Sequence, residues 1–186
     1  MTDIKDAKIA ILATHGFEKA ELFEPKRQLE EIGAMVTIIS PESGSIISWD
    51  ETDWGEGIAV DMSLDDAKVE DFDALVLPGG QINPDTLRAN EKAVKFIRNF
   101  FESGKTLAAI CHAVWLLIEA NVLKGRSVTS YPSISTDVTN AGALWEDSEV
   151  VVDDALITSR NPGDLNAFCA KIIEEVREGR HARTVV

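Results

Sequence analysis

Cysteine is scarce in this 186-residue chain, which holds Cys111, Cys169 and no others. Two thiols cannot build a disulfide framework or the four-ligand set of a structural zinc site. Histidine is nearly as rare, with three residues, and no metal-ligand spacing surrounds any of them. Neither a metal nor a cofactor is therefore expected. No apolar run approaches the ~20 residues needed to cross a bilayer, and the polar opening Met1-Thr2-Asp3-Ile4 lacks the layout of a secretory signal. The expected home is a reducing cytoplasm, away from membranes. Basic charge is short as well: 18 Lys and Arg stand against 32 Asp and Glu, a net charge of −14. Such a surface repels phosphate backbones, which argues against stable nucleic-acid binding and for a small or neutral substrate.

Repeats, low-complexity tracts and Pro/Gly/Ser-rich linkers are also missing. Residues 1–186 read as one domain, with a hydrophobic share of 45% that suits a substantial core. Lys8 to Ala13 is a continuous apolar strand, and Glu18 to Ile32 reads as a helix with Leu22, Leu29 and Ile32 apolar. Pro25 falls near the start of that helix, so its first turn is irregular or it begins just before Pro25. Met35 to Ser40 is the next strand, and this β-α-β opening predicts a parallel sheet. Between Gly44 and Asp61, apolar residues flank the turn Asp50-Glu51-Thr52-Asp53 and suggest a small antiparallel excursion. Further strands are expected at 73–77, 106–110, 149–152 and 155–158, with helices at 91–103, around 133–141, and from an Asn161 cap to about Glu178. The tail from about 180 to 186 carries no pattern and is expected to fray or to serve at an interface.

In such a sheet, sites form at the carboxyl ends of strands. Cys111 stands where the apolar strand 106–110 gives way to a helical repeat. A thiol there gains a sharp backbone, nearby N–H donors and the positive end of a helix dipole, which favours thiolate. Ala109 and Ala113 leave room for the turn. Read alone, Cys111 is equally a buried core cysteine. His112 is adjacent, and if its ring reaches the sulfur it can serve as base and acid. Pro78-Gly79-Gly80 ends another strand, where the N–H groups of Gly80 and His112 could bind a developing oxyanion. Glu18 and Glu21 share a helix face, and a carboxyl held against a thiolate would be protonated and donate a hydrogen bond. Asp85 could orient His112, or simply cap a helical turn.

Phe17-Glu18…Glu21…Pro25, Leu77-Pro78-Gly79-Gly80, Ala109-Ile110-Cys111-His112 and Thr129-Ser130-Tyr131-Pro132 together resemble the ThiJ/PfpI superfamily, most of all its PfpI-like intracellular protease and general-stress branch. Asn140-Ala141-Gly142-Ala143 and Ser159-Arg160 extend the likeness over nearly the whole chain. The resemblance implies a flavodoxin-like three-layer α/β sandwich, mostly parallel, with Cys111 at a nucleophile elbow and Glu21 against its sulfur. It also implies a homodimer or larger homo-oligomer in which Asp85 crosses an interface to His112. The chain departs from the family where Ala113-Val114 stands in place of Gly-Pro, and where Asp85 replaces a glutamate. The implied activity is a stress-protective, cysteine-dependent hydrolysis of reactive carbonyls or their small-molecule, peptide or protein adducts. Peptide cleavage is the alternative within the hydrolases. A non-enzymatic oxidation sensor or holdase using Cys111 sulfenic acid is the alternative outside them.

Overall fold

The computed structural model describes residues 4–182. The chain opens with β1 (Lys8–Leu12), a short β2 (Phe17–Glu18), helix α1 (Lys19–Glu31) and β3 (Met35–Ser40). The hairpin β4 (Ser45–Asp50) and β5 (Asp53–Ala59) follows, then β6 (Met62–Ser63) and β7 (Ala74–Leu77). Helices α2 (Ile82–Arg88) and α3 (Glu91–Glu102) lead to β8 (Thr106–Ile110) and α4 (Val114–Glu119). The remainder holds β9 (Ser127–Val128), α5 (Ser135–Asn140), β10 (Leu144–Trp145), β11 (Val150–Asp153), β12 (Leu156–Ser159) and α6 (Leu165–Glu178).

Seven strands form the main sheet in the order β11-β12-β8-β7-β1-β3-β6. Its pairings are parallel except that of β11 with β12. Alternation along the strands divides the core into two layers. Ile9, Ile11, Val76, Ala108 and Ile110 meet Leu22 and Leu29 of α1 and Phe168 and Ile172 of α6. Leu12, Leu75, Leu77 and Leu107 face Leu87 of α2, Phe100 of α3 and Leu117 of α4 on the other side. The result is the expected helix–sheet–helix sandwich, and Cys169 lies in its core.

Two local expectations change. Pro25 lies well inside α1 rather than near its start, six residues after Lys19. It has no N–H to donate to the Glu21 carbonyl, yet burial of Leu22 and Leu29 holds the helix across the gap. The tail is anchored rather than frayed as far as it is described. Gly179 (φ 96°) turns the chain back, and the His181 N–H donates to the Gly104 carbonyl at 2.9 Å. A Cβ on Gly104 would stand 2.1 Å from the His181 carbonyl oxygen. Residues 183–186 of the expected tail lie outside the described residues.

Candidate active site

The strand order reverses at β1, whose neighbours β3 and β7 lead away in opposite directions. The carboxyl ends of β1, β7 and β8 therefore open onto one crevice. Cys111 follows β8 with φ 64°, a left-handed backbone that a residue with a Cβ adopts only under constraint. Fully buried Ala109 and Ala113 leave space for that turn. Gly79 makes the closest approach. A Cβ there would lie 2.7 Å from the Cys111 Cβ and 2.6 Å from Glu21 Oε2, so only glycine lets the turn after β7 close on the sulfur. Asn83, buried on α2, fixes this turn. Its Oδ1 accepts the Thr14 N–H at 2.7 Å, and its Nδ2 donates to the Pro78 carbonyl at 2.8 Å.

His112 does reach the sulfur, with Nδ1 3.2 Å from Cys111 Sγ. Its Nε2 lies 3.3 Å from Ser133 Oγ, and its ring stacks on Tyr131 with centroids 4.7 Å apart. Trp115 packs edge-on at 5.1 Å. Burial pushes the His112 pKa down, which leaves a neutral imidazole able to accept the thiol proton.

Glu21 is wholly buried at the start of α1. Its Oε2 accepts the Gly79 N–H at 2.8 Å, while Oε1 makes no hydrogen bond of ordinary geometry. Burial, aided by the charge of Glu18, pushes its pKa to about 8. Burial and the Glu21 charge push the Cys111 thiol upward too, against the N–H groups of His112 and Gly80, which favour thiolate. The expected depression by a helix end is thus outweighed. The six-residue α4 is short, and a 3-10 turn over Cys111–Ala113 separates it from the strand. Carboxyl and thiol instead hold protons together, and thiolate forms next to a neutral Glu21.

Over residues 7–175 the sequence matches the DJ-1/PfpI family. The chain belongs to this family. Deglycase PfpI of Pyrococcus furiosus is 45% identical over 167 residues, covering 90% of this chain and 98% of that protein. General stress protein 18 of Bacillus subtilis is 44% identical over 162 residues, covering 87% of this chain and 92% of the other. Among solved structures, a two-domain protein from Anabaena variabilis with DJ-1/ThiJ/PfpI-like and ferritin-like domains aligns with a TM-score of 0.87 at 35% identity. That alignment covers 92% of this chain and 48% of the larger one, so the shared part is the DJ-1/PfpI-like unit.

Within this DJ-1/PfpI chain, Cys111, His112, Glu18, Glu21 and Gly80 all line one cavity of about 430 Å³. Glu18 is half-buried, and burial followed by the charges of Asp50 and Glu51 raises its pKa against the Ala20 N–H. Asp85 stands exposed on α2, and among the described residues no hydrogen bond or ion pair joins it to His112. Sequence reasoning missed Ser133, Asn83, Trp49 and Glu51. Tyr131-Pro132 marked their neighbourhood for Ser133, and the turn at Asp50-Glu51 did so for the hairpin, but neither signal assigned a contact. The histidines without sequence patterns also find partners. His15 Nδ1 accepts the Ile47 N–H at 3.1 Å, tying the loop after β1 to the hairpin. His181 gathers with Glu175 and Glu178, their ligand atoms within 4.8 Å, beside Gly104 at the opposite end of β8 from Cys111.

Proposed function

We propose that this chain is a cysteine-dependent deglycase, removing 2-oxoaldehyde adducts from amines with Cys111 as nucleophile. The observation that carries the reading is the 3.2 Å approach of His112 Nδ1 to a sulfur held in a left-handed turn. The relatives named deglycases support it. His112 takes the thiol proton, and Sγ bonds to the carbinol carbon of the adduct as its C–N bond breaks. The amine leaves with the proton from His112. Neutral Glu21 then gives its proton to the ketone oxygen and takes up the C–H proton of the thiohemiacetal, forming an enediol whose oxygens the Gly80 and His112 N–H groups hold. It returns that proton to the former ketone carbon as it recovers one from the other hydroxyl. The resulting 2-hydroxyacyl thioester takes up water, releasing hydroxy acid and free thiol.

The test follows release of free lysine and lactate from a methylglyoxal–lysine adduct by wild type and Cys111→Ser. Loss of at least 10³-fold in kcat/KM is expected for the variant. Equal rates would sink the reading, and cleavage of an unmodified peptide by wild type alone would point to a peptidase. A sensor reading has one observation in its favour: the unpartnered Glu21 Oε1 beside the thiol could donate a hydrogen bond to a sulfenate when protonated. Intact mass after one equivalent of peroxide checks it, and the absence of added oxygen on Cys111 removes it.

The proposal includes a homodimer or larger assembly in which Asp85 of a second copy reaches His112. Its support is the exposed rim of Ile82 and Tyr131, 40% and 38% accessible, on the Asp85 side of the cavity.

A further inference from the structure

The residues lining the crevice carry charge of one sign only. Glu18 and Glu51 border it, with the neutral Glu21 deeper in, and among the described residues no lysine or arginine lines it. Two basic groups next to lining segments, Lys19 after Glu18 and Arg160 before Pro162, are already engaged. Lys19 Nζ lies 2.9 Å from Asp50 and 3.5 Å from Glu56, and Arg160 is held between Asp147 and Asp164. Glu51 occupies the hairpin tip at φ 55°, where its carbonyl accepts the Trp49 Nε1–H at 3.1 Å. This contact keeps the Glu51 backbone and the Trp49 ring together at the mouth. Across the cavity the Tyr131 ring is partly exposed and stacked on His112. Deeper in, the buried carboxyl of Glu21 lines the cavity beside the thiol, its Oε1 meeting no partner among the described residues. Carboxylates at the rim and aromatic faces beside them are what a cation meets favourably.

We infer that this crevice selects substrates of net positive charge, so that adducts on arginine guanidinium or on lysine within basic peptides are preferred over neutral and anionic ones. The sequence pointed no further than a small or neutral substrate; the one-signed crevice adds the charge. The identity of the substrate rests on the deglycase reading, whereas the charge preference is a property of the crevice itself. Glu51 and Trp49 are the specificity-determining pair, because they stand at the mouth and take no part in moving protons. A cleft of one sign with low-dielectric walls raises the local concentration and on-rate of opposite charge about tenfold or more at low salt. The preference weakens as ionic strength rises.

Two arms test the inference separately from the chemistry. The first labels Cys111 with methanethiosulfonates bearing trimethylammonium, neutral ethyl or sulfonate groups, each rate divided by that for free mercaptoethanol. Cys111→Ser controls for Cys169. At 20 mM salt the cationic reagent is expected to react at least about tenfold faster than the anionic one. Glu51→Gln should cut that ratio about threefold or more, and Glu70→Gln, an equal charge change before the amino end of β7, should leave it intact. The second arm compares methylglyoxal adducts of Arg-Lys-Arg and Glu-Lys-Glu peptides by kcat/KM, with the same order expected. Equal labelling of Cys111 by the cationic and anionic reagents, or a ratio indifferent to Glu51→Gln, overturns the inference. Charge-selective labelling with neither peptide turned over would overturn the deglycase reading and leave the selectivity standing. Turnover of both peptides at one rate with a labelling ratio of one would do the reverse.

Discussion

Glu21 shows how one side chain couples stability to chemistry. Its carboxyl is buried and accepts a single N–H, so the charged form is disfavoured and the pKa rises from 4.5 to about 8. A carboxyl raised in the folded state gives stability that is whole below pH 4.5 and is lost as pH climbs through 8. Glu21→Gln removes that loss. Relative to wild type, the variant should gain about 2–4 kcal/mol between pH 5 and pH 9, read from denaturant midpoints. Its turnover should fall at least about 100-fold, because an amide cannot carry the proton. An identical pH dependence in both proteins would show that Glu21 is not the titrating group. At this scale the sequence was readable where neighbours in the chain do the work. Cys111, His112 and the Glu18/Glu21 pair were visible from spacing. Ser133 and Asn83 were not: Ser133 meets His112 from a distant segment, and Asn83, just past the glycine turn, carries no local pattern that marks its bond to Thr14.

Among the elements, the turn between β7 and α2 bears the most on geometry. Asn83 ties that turn to the end of β1 through buried hydrogen bonds. Asn83→Ala leaves the Thr14 N–H and the Pro78 carbonyl without partners, so a loss of about 2–4 kcal/mol is expected in chemical denaturation. The Gly80 N–H should shift with the turn, lowering kcat more than it raises KM. Wild-type kinetics in a folded Asn83→Ala protein would deny the turn its role. Long strands and helices announced themselves by period because each buries a whole face. β2 and β6 have two residues each, too few for any period, and exist only because longer strands pair with them. Pro25 misled for the opposite reason. Its local preference for a first turn yields to the burial that flanks it.

For the whole molecule, a net charge of −14 sets like charge against like in any self-association. If assembly runs through the Asp85 face, moderate salt should tighten it by screening, and sedimentation at 20 and 300 mM NaCl will show the larger species favoured at the higher value. Asp85→Ala should leave the monomer folded while shifting the pH profile of kcat, the mark of a group that orients His112. An unmoved profile would leave Asp85 as an ordinary surface acid. The return of the chain at Gly179 has a different reach. Because His181 lies against Gly104, the strand leading to Cys111 is moored at its start by a segment from beyond α6. Loss of His181 should therefore be felt at the reactive sulfur. The turn at Gly179 works as a fastening, and a protein cut before it would be a looser enzyme before it was an unfolded one.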